Sequence, residues 1–125
     1  MDNNRTDELI KKYFQMWIDK IKLDLTTIFT KDIQYTECYG PQYKGIDEID
    51  EWIKHQFEIQ TVTDWTIKNI YHDQNVTTVE WHFAYTQDNE NSGFDGVSII
   101  KFKDDLISEI SEFESKDVHT RPYLK

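Results

Sequence analysis

The chain has 125 residues and a formal net charge of −10, from 24 acidic and 14 basic side chains. So acidic a protein repels nucleic-acid phosphates and anionic membrane surfaces, which argues against both as partners. Four tryptophans, seven tyrosines and seven phenylalanines beside only four glycines and two prolines are typical of a packed globular domain, and the length predicts one domain spanning residues 1–125.

The chain lacks the sequence signals of secretion, membrane insertion and metal binding. Cys38 is the only cysteine, so no internal disulfide forms, and no apolar run approaches the length of a membrane span. The N-terminus has no basic segment followed by an apolar one, so we expect a cytoplasmic protein. The four histidines show no metal-ligand spacing and no glycine-rich phosphate loop is present, so we expect neither a metal nor a cofactor.

The first 60 residues carry helical signals. Thr6 followed by Asp7 and Glu8 predicts a helix start, and apolar residues then recur at helical spacing: Leu9, Ile10, Tyr13, Phe14, Trp17, Ile18 and Ile21. A second, short helix is predicted from Leu25, Ile28 and Phe29. A third follows Gly45, with one apolar side made of Ile46, Ile49, Trp52, Ile53 and Phe57.

A strand with an unusual end is predicted between the second and third helices. Residues 33–38 alternate, so Ile33, Tyr35 and Glu37 share one side. If that side faces the core, the Glu37 carboxylate must be paired, hydrogen-bonded or protonated, which makes it a candidate proton-transfer group. The alternative is that the strand ends at Tyr35 and Glu37 lies in solvent before the turn at Gly40.

Beyond residue 60 the pattern alternates as in strands. We predict strands at residues 62–72, 79–85, 96–103 and 106–113, with a turn at residues 104–105. Helices followed by hairpin-connected strands predict an α+β fold, with the helices on one face of an antiparallel sheet. The last two strands are apolar on both sides, and a homodimer would cover the outer face with Val97, Ile99, Ile107 and Phe113.

Several segments together resemble the SnoaL-like branch of the nuclear-transport-factor-2-like superfamily. They are residues 28–32 before the first strand, 43–49 at the third helix, 96–99, and 105–107 before the last strand. The resemblance implies a cone, in which a curved, mainly antiparallel sheet packs on three N-terminal helices around an internal pocket. It also implies a dimer through the outer sheet face. Relatives in this branch include ketosteroid isomerases, polyketide cyclases, dehydratases and epoxide hydrolases.

The resemblance also implies site residues. In an ungapped alignment with ketosteroid isomerases, Tyr13 takes the place of their oxyanion-stabilising tyrosine and Glu37 that of their general base. Ser98 stands where the family has a hydrogen-bonding acid, and a serine donates a hydrogen bond without replacing a carboxylic acid. A small apolar or aromatic ligand would then lie in a pocket formed by Trp17, Tyr35, Trp52, Trp81, Phe83, Ile100, Phe102 and Ile110.

Alternatives remain open for these residues and for the function. Tyr13 also fits the apolar stripe of its helix as a core tyrosine. Glu112 and Glu114 share a strand face with Ile110, but near the chain end we expect them to be solvated. Three functions fit: an acid–base isomerase, cyclase or dehydratase with Glu37 as base, a non-catalytic binder, or a dimeric interaction module whose pocket is filled by side chains.

Overall fold

The computed structural model describes residues 2–124 and has an α+β fold, as predicted. Within those residues it contains two α-helices and one mixed, open sheet of six strands. The elements are α1 (Asn3–Asp19), a 3₁₀ turn (Leu25–Thr27), β1 (Phe29–Thr36), β2 (Gln42–Lys44), α2 (Ile46–Ile59), β3 (Thr61–Asp73), β4 (Val76–Gln87), β5 (Glu90–Lys103) and β6 (Leu106–Ser115). None of the helices in residues 2–124 is long and apolar enough to cross a membrane.

The order of the strands in the sheet is β2-β1-β6-β5-β4-β3. Strands β3 to β6 form a continuous antiparallel meander, and β1 pairs with β2 antiparallel. The pairing of β1 with β6 is parallel, and it places Tyr35 beside Ile110. The first and last long strands are therefore neighbours, and only the short strand β2 lies beyond β1 at that edge of the sheet.

The predicted second helix is wrong, because residues 25–27 form a single 3₁₀ turn. The Asp24 carboxylate accepts a hydrogen bond from the backbone N–H of Thr26 at 3.0 Å and another from its hydroxyl at 2.7 Å. Local side-chain bonds of this kind, with the β-branched residues that follow, favour a turn over a helix. Phe29 is buried as the first residue of β1.

Helix α1 begins earlier than predicted and packs against the sheet through its apolar stripe. Asp2, not Thr6, is the N-cap, and its carboxylate accepts the N–H of Asn4 at 2.9 Å. Thr6 is buried and donates its hydroxyl to the carbonyl of Asn3. On the inner side, the Phe14 ring stacks on Trp65 of β3 with 3.8 Å between centroids.

The inner face of the sheet contains a close fit between Trp81 and Gly96. These residues are directly opposite each other on β4 and β5, and a Cβ added at Gly96 would overlap the indole of Trp81 and the carbonyl oxygen of Phe113. The indole donates its Nε1–H to the hydroxyl of Ser98 at 2.9 Å and is only 2% exposed. Among the predicted pocket residues, Trp17 and Trp81 are buried, whereas Trp52 and Phe83 are partly buried.

The outer face of the sheet differs from the prediction at one residue. Ile99 is 37% exposed and Phe113 54%, and Val97, opposite Phe113, is partly buried. Ile107, however, is fully buried, because the register between β5 and β6 shifts between Lys101 and Phe102. Such a bulge interrupts the alternation of β6, so residues before and after it differ in the side given by odd and even numbering. Ile107 therefore faces the core, whereas Phe113 faces outward.

Candidate functional site

An aromatic cavity of about 300 Å³ lies between the helices and the inner face of the sheet. Its size is at the lower end of the range for small-molecule pockets. All four tryptophans of the chain line it. The lining residues are Trp17, Tyr35, Glu37, Cys38, Tyr39, Pro41, Tyr43, Trp52, Gln56, Ile59, Gln60, Trp65, Trp81, Phe83, Tyr85, Gln87, Phe94 and Glu112.

One wall of the cavity is a cluster of rings around Trp52 of α2. Its indole stacks on Tyr43 with 4.6 Å between centroids, and it packs at an angle against Tyr35 at 4.9 Å and Trp17 at 5.1 Å. These rings come from α1, β1, β2 and α2. The wall thus joins both helices to the edge of the sheet and presents apolar ring surface to a ligand.

Glu37 lines this cavity from a loop. Strand β1 ends at Thr36, and the loop is closed by hydrogen bonds from the Glu37 N–H to the carbonyl of Pro41 and from the Gly40 N–H to the carbonyl of Glu37. The Glu37 carboxylate accepts the hydroxyl of Tyr43 at 2.6 Å. Desolvation raises the pKa of Glu37, and the hydrogen bond from Tyr43 opposes that rise. The strand therefore ends early, yet the carboxylate is partly buried at the cavity.

Glu112 of β6 is the second carboxylate at the cavity, and the expectation that it is solvated is wrong. Its Oε2 accepts the hydroxyl of Tyr35 at 2.7 Å. Burial raises the pKa of Glu112 to about 8, the charge of Glu37 adds to the rise, and the Tyr35 hydrogen bond opposes it. The neighbouring strands β1 and β5 enclose this part of β6, whereas Glu114, two residues later, is exposed.

Tyr13 and Ser98 are close to the cavity but do not line it. The buried Tyr13 hydroxyl donates to that of Tyr35 at 2.9 Å, so it reaches the cavity only through Tyr35 and Glu112. Burial, and then the charge of Glu112, hold the pKa of Tyr13 well above its ordinary value. Ser98 is buried behind Trp81, and its cross-strand neighbour is Glu112. A carboxylate is therefore present one strand away from the position where the resemblance implies an acid.

The other predicted pocket residues divide into two groups. Lining the cavity are Trp17, Tyr35, Trp52, Trp81 and Phe83. Buried in the core away from it are Ile100, Phe102 and Ile110. Sequence reasoning missed further lining aromatics, namely Tyr39, Tyr43, Trp65, Tyr85 and Phe94. Strand alternation carried a signal for Trp65 and Tyr85, but nothing local indicated the loop residue Tyr39.

Several polar groups at the cavity have unusual surroundings. The indole N–H groups of Trp17, Trp52 and Trp65 are buried and, within residues 2–124, have no hydrogen-bond acceptor. The Trp17 indole is near enough to the Tyr13 hydroxyl to lower its pKa, without the geometry of a hydrogen bond. Burial raises the pKa of the Cys38 thiol to about 12, so it is not an activated nucleophile. Residues 2–124 contain no cluster of three or more potential metal ligands.

The raised pKa of Glu112 predicts how replacing this residue changes the stability of the fold. Between its ordinary pKa of 4.5 and the folded value of about 8, the unfolded state loses the proton that the folded state keeps. Its contribution to stability is therefore fully present below 4.5 and is lost as pH rises through 8. Because the side chain is only partly buried, we expect Glu112→Gln to stabilise the fold by roughly 1–3 kcal/mol at about pH 9.

Urea unfolding of both proteins at about pH 4 and about pH 9 measures this effect. The stability gained by Glu112→Gln should vanish at about pH 4, where the Glu112 carboxyl of the wild type is mostly protonated in both the folded and the unfolded state. A difference in stability that does not change with pH would contradict the assigned pKa.

The fold has clear relatives among solved structures. A candidate isomerase from Bacillus subtilis superposes with a TM-score of 0.81 at 14% identity, over 92% of this chain and 90% of that one. An M. tuberculosis LEH-like epoxide hydrolase superposes with a TM-score of 0.80 at 10% identity, over 90% of this chain and 84% of that one. A Catenulispora acidiphila protein of ketosteroid isomerase-like fold was solved in complex with trimethylamine. It superposes with a TM-score of 0.73 at 16% identity, over 85% of this chain and 84% of that one. At these identities the likeness establishes the fold alone.

Sequence comparison gives the family. Among curated proteins, none matches the chain at a significant level. The family model of the SnoaL-like domain matches residues 10–110. This range contains most of α1, all of α2 and β1 to β5, the first half of β6, and Glu37. The chain therefore belongs to the SnoaL-like domain family.

Proposed function

We propose that the cavity binds a small, largely apolar molecule and catalyses proton transfer in it, as an isomerase, cyclase or dehydratase does. One observation carries this proposal: Glu37 and Glu112 line the same aromatic cavity in different environments. Two carboxyl groups whose surroundings separate their pKa values are suited to act as base and acid at the same pH. Membership of a small-molecule-binding family supports the first half of the proposal.

Glu37 is the proposed base. Its charge contributes to the raised pKa of Glu112, so Glu37 is the carboxyl that ionises first. The hydrogen bond from Tyr43 fixes one oxygen, Oε1, and leaves Oε2 free of side-chain partners within residues 2–124. The carboxylate removes a proton from a carbon next to a carbonyl group, and the electron pair of that C–H bond moves toward the carbonyl oxygen.

Glu112 is the proposed acid that meets the resulting negative charge. It holds its proton to about pH 8 and accepts the Tyr35 hydroxyl at Oε2, so Oε1 is available to donate to the substrate oxygen. The chain of hydroxyls from Tyr13 through Tyr35 orients the carboxyl group. Glu112 would thus supply the function that the sequence assigned to Tyr13 and Ser98, while Tyr13 acts as a positioning residue.

Deuterium exchange tests the proposal without knowledge of the natural substrate. A panel of small cyclic and aromatic ketones is incubated with the protein in heavy water, and NMR follows deuterium entering next to the carbonyl. We expect exchange above the buffer rate for some members, increasing as Glu37 ionises and decreasing above about pH 8 as Glu112 loses its proton. Tight binding without exchange by any bound ketone would contradict catalysis and assign the cavity to binding alone.

We also propose a homodimer through the outer face of the sheet. Tyr71, Ile99 and Phe113 are exposed there, and cross-strand pairing puts Tyr71 and Ile99 in one row. Light scattering should give about twice the 15.1 kDa of one chain. Phe113→Asp places a charge in this apolar surface and should give a monomer. A wild-type monomer at micromolar concentration would contradict the dimer.

A further inference from the structure

The charged and aromatic groups of the cavity indicate the class of ligand it prefers. The wall contains two carboxyl groups, Glu37 and Glu112, and each becomes negatively charged when it loses its proton. No lysine, arginine or histidine lies among the wall residues found within residues 2–124. The remaining wall is mostly aromatic. The described wall thus has no cationic side chain to balance the charge of an anionic ligand, whereas its carboxylates and ring faces attract a cation.

We propose that the cavity selects an organic cation, an ammonium group with apolar substituents, over neutral or anionic molecules of the same shape. This inference goes beyond the proposed function, because a cation that ionises Glu112 removes the acid that the proton transfer needs. The cation is therefore a ligand of the same cavity and not the substrate of that reaction. The inference shares the cavity with that proposal, but it concerns binding and holds with or without turnover.

The ring cluster around Trp52 provides the first part of the argument. Ammonium groups are attracted to the face of an aromatic ring within about 6 Å of its centroid, most strongly for tryptophan. The centroids of Tyr35, Tyr43 and Trp17 all lie within 5.1 Å of that of Trp52. All four of these rings also line the cavity, so a substituted ammonium group there would lie near several of them. Its apolar substituents suit the mostly aromatic wall.

The two carboxyl groups provide the second part. Glu37 ionises first and supplies one negative charge, while Glu112 holds a proton to about pH 8. A bound cation favours the ionised form of Glu112, so binding releases a proton and becomes tighter as pH rises. The other groups coupled to Glu112 are Tyr13, Tyr35, Tyr43 and Cys38. All four have raised pKa values, so among these groups Glu112 is the one that changes its charge near pH 8.

Three probes of matched shape test the selection. Choline is compared with the neutral alcohol in which a tert-butyl group replaces its trimethylammonium group, and with the carboxylate of tert-butylacetic acid. Since all four tryptophans line the cavity, their fluorescence reports occupancy, and calorimetry checks the affinities at constant ionic strength. We expect choline to bind about tenfold or more tightly than the alcohol at neutral pH, and the carboxylate to bind most weakly.

Variants link this selectivity to the two carboxyl groups. Between about pH 6 and about pH 9 the preference for choline over the alcohol should increase in the wild type and remain flat in Glu112→Gln. Glu37→Gln should reduce the preference at neutral pH. Glu114→Gln removes an exposed charge from the same strand and should change neither result.

Equal affinities for choline and the alcohol, a preference for the alcohol, or no binding of choline would overturn the inference. So would a preference in the wild type that does not respond to pH or to either variant. These results are read from binding, whereas the acid–base proposal is read from deuterium exchange. Failure of one is therefore distinguishable from failure of the other.

Discussion

Replacing Glu37 with Gln should lower the rate of deuterium exchange by about a hundredfold to ten-thousandfold, the contribution typical of a positioned general base. Glutamine keeps the shape of the side chain, and its amide oxygen is able to accept the Tyr43 hydroxyl that now binds Oε1. It has no basicity with which to remove a carbon-bound proton. The circular dichroism spectrum and the affinity for neutral ligands should remain close to those of the wild type.

Two further variants make this result specific. Glu114→Gln removes an equal charge from an exposed position and should leave exchange unchanged. Tyr43→Phe removes the hydrogen bond that lowers the pKa of Glu37, so the acidic limb of the pH–rate profile should move to higher pH while activity persists. If Glu37→Gln retained most of the wild-type exchange rate, the base would have to be another group.

Replacing Trp81 with Ala should lower the free energy of unfolding by about 3–5 kcal/mol, as truncations of buried aromatic residues do. The indole is 2% exposed and packs edge-to-face against Trp65 and Phe94 at 5.8 and 5.9 Å between centroids. It also covers Gly96, where no side chain fits beneath the ring. Its removal leaves a void between β4, β5 and the aromatic wall.

Chemical denaturation followed by far-ultraviolet circular dichroism measures this loss. Trp81→Phe keeps a ring in place but leaves the Ser98 hydroxyl without its indole donor, so its cost should be smaller, about 1–2 kcal/mol. Val118→Ala, at a position 77% exposed, should lie within about 0.5 kcal/mol of the wild type. A loss below about 1 kcal/mol for Trp81→Ala would mean that the indole does not support the core.

The fold was predictable because its elements carry strong periodic signals. The alternation in β4 places Val79 and Trp81 inward, and the stripe of α1 places Tyr13 and Trp17 against the sheet. The predicted short helix around Leu25 failed because capping by Asp24 favours one turn. The three-residue strand β2 has no pattern of its own, since its pairing with β1 defines it.

The site was less accessible from sequence, because its parts meet through pairing between distant strands. Local alternation and the family resemblance both indicate Glu37. No local pattern indicates that Glu112 is buried, because its burial depends on the parallel contact between β1 and β6, and its partner Tyr35 is 77 residues away from it. Tyr39 of the loop and Tyr43 of β2 reach the cavity on either side of the turn at Gly40. The φ of 110° at Gly40 marks a bend, but no residue pattern reveals its direction.

The parallel contact between β1 and β6 has a consequence for the order in which the protein matures. During synthesis β1 emerges early, but its neighbour β6 is the last of the six described strands to be made. The meander from β3 to β5 can pair through sequential hairpins. The pairing of β1 with β6 instead requires the longest loop closure among the neighbouring strands of the described sheet. A nascent chain that stops before β6 leaves the edges of β1 and β5 open to other chains. The two carboxyl groups therefore meet only after β6 has been synthesised.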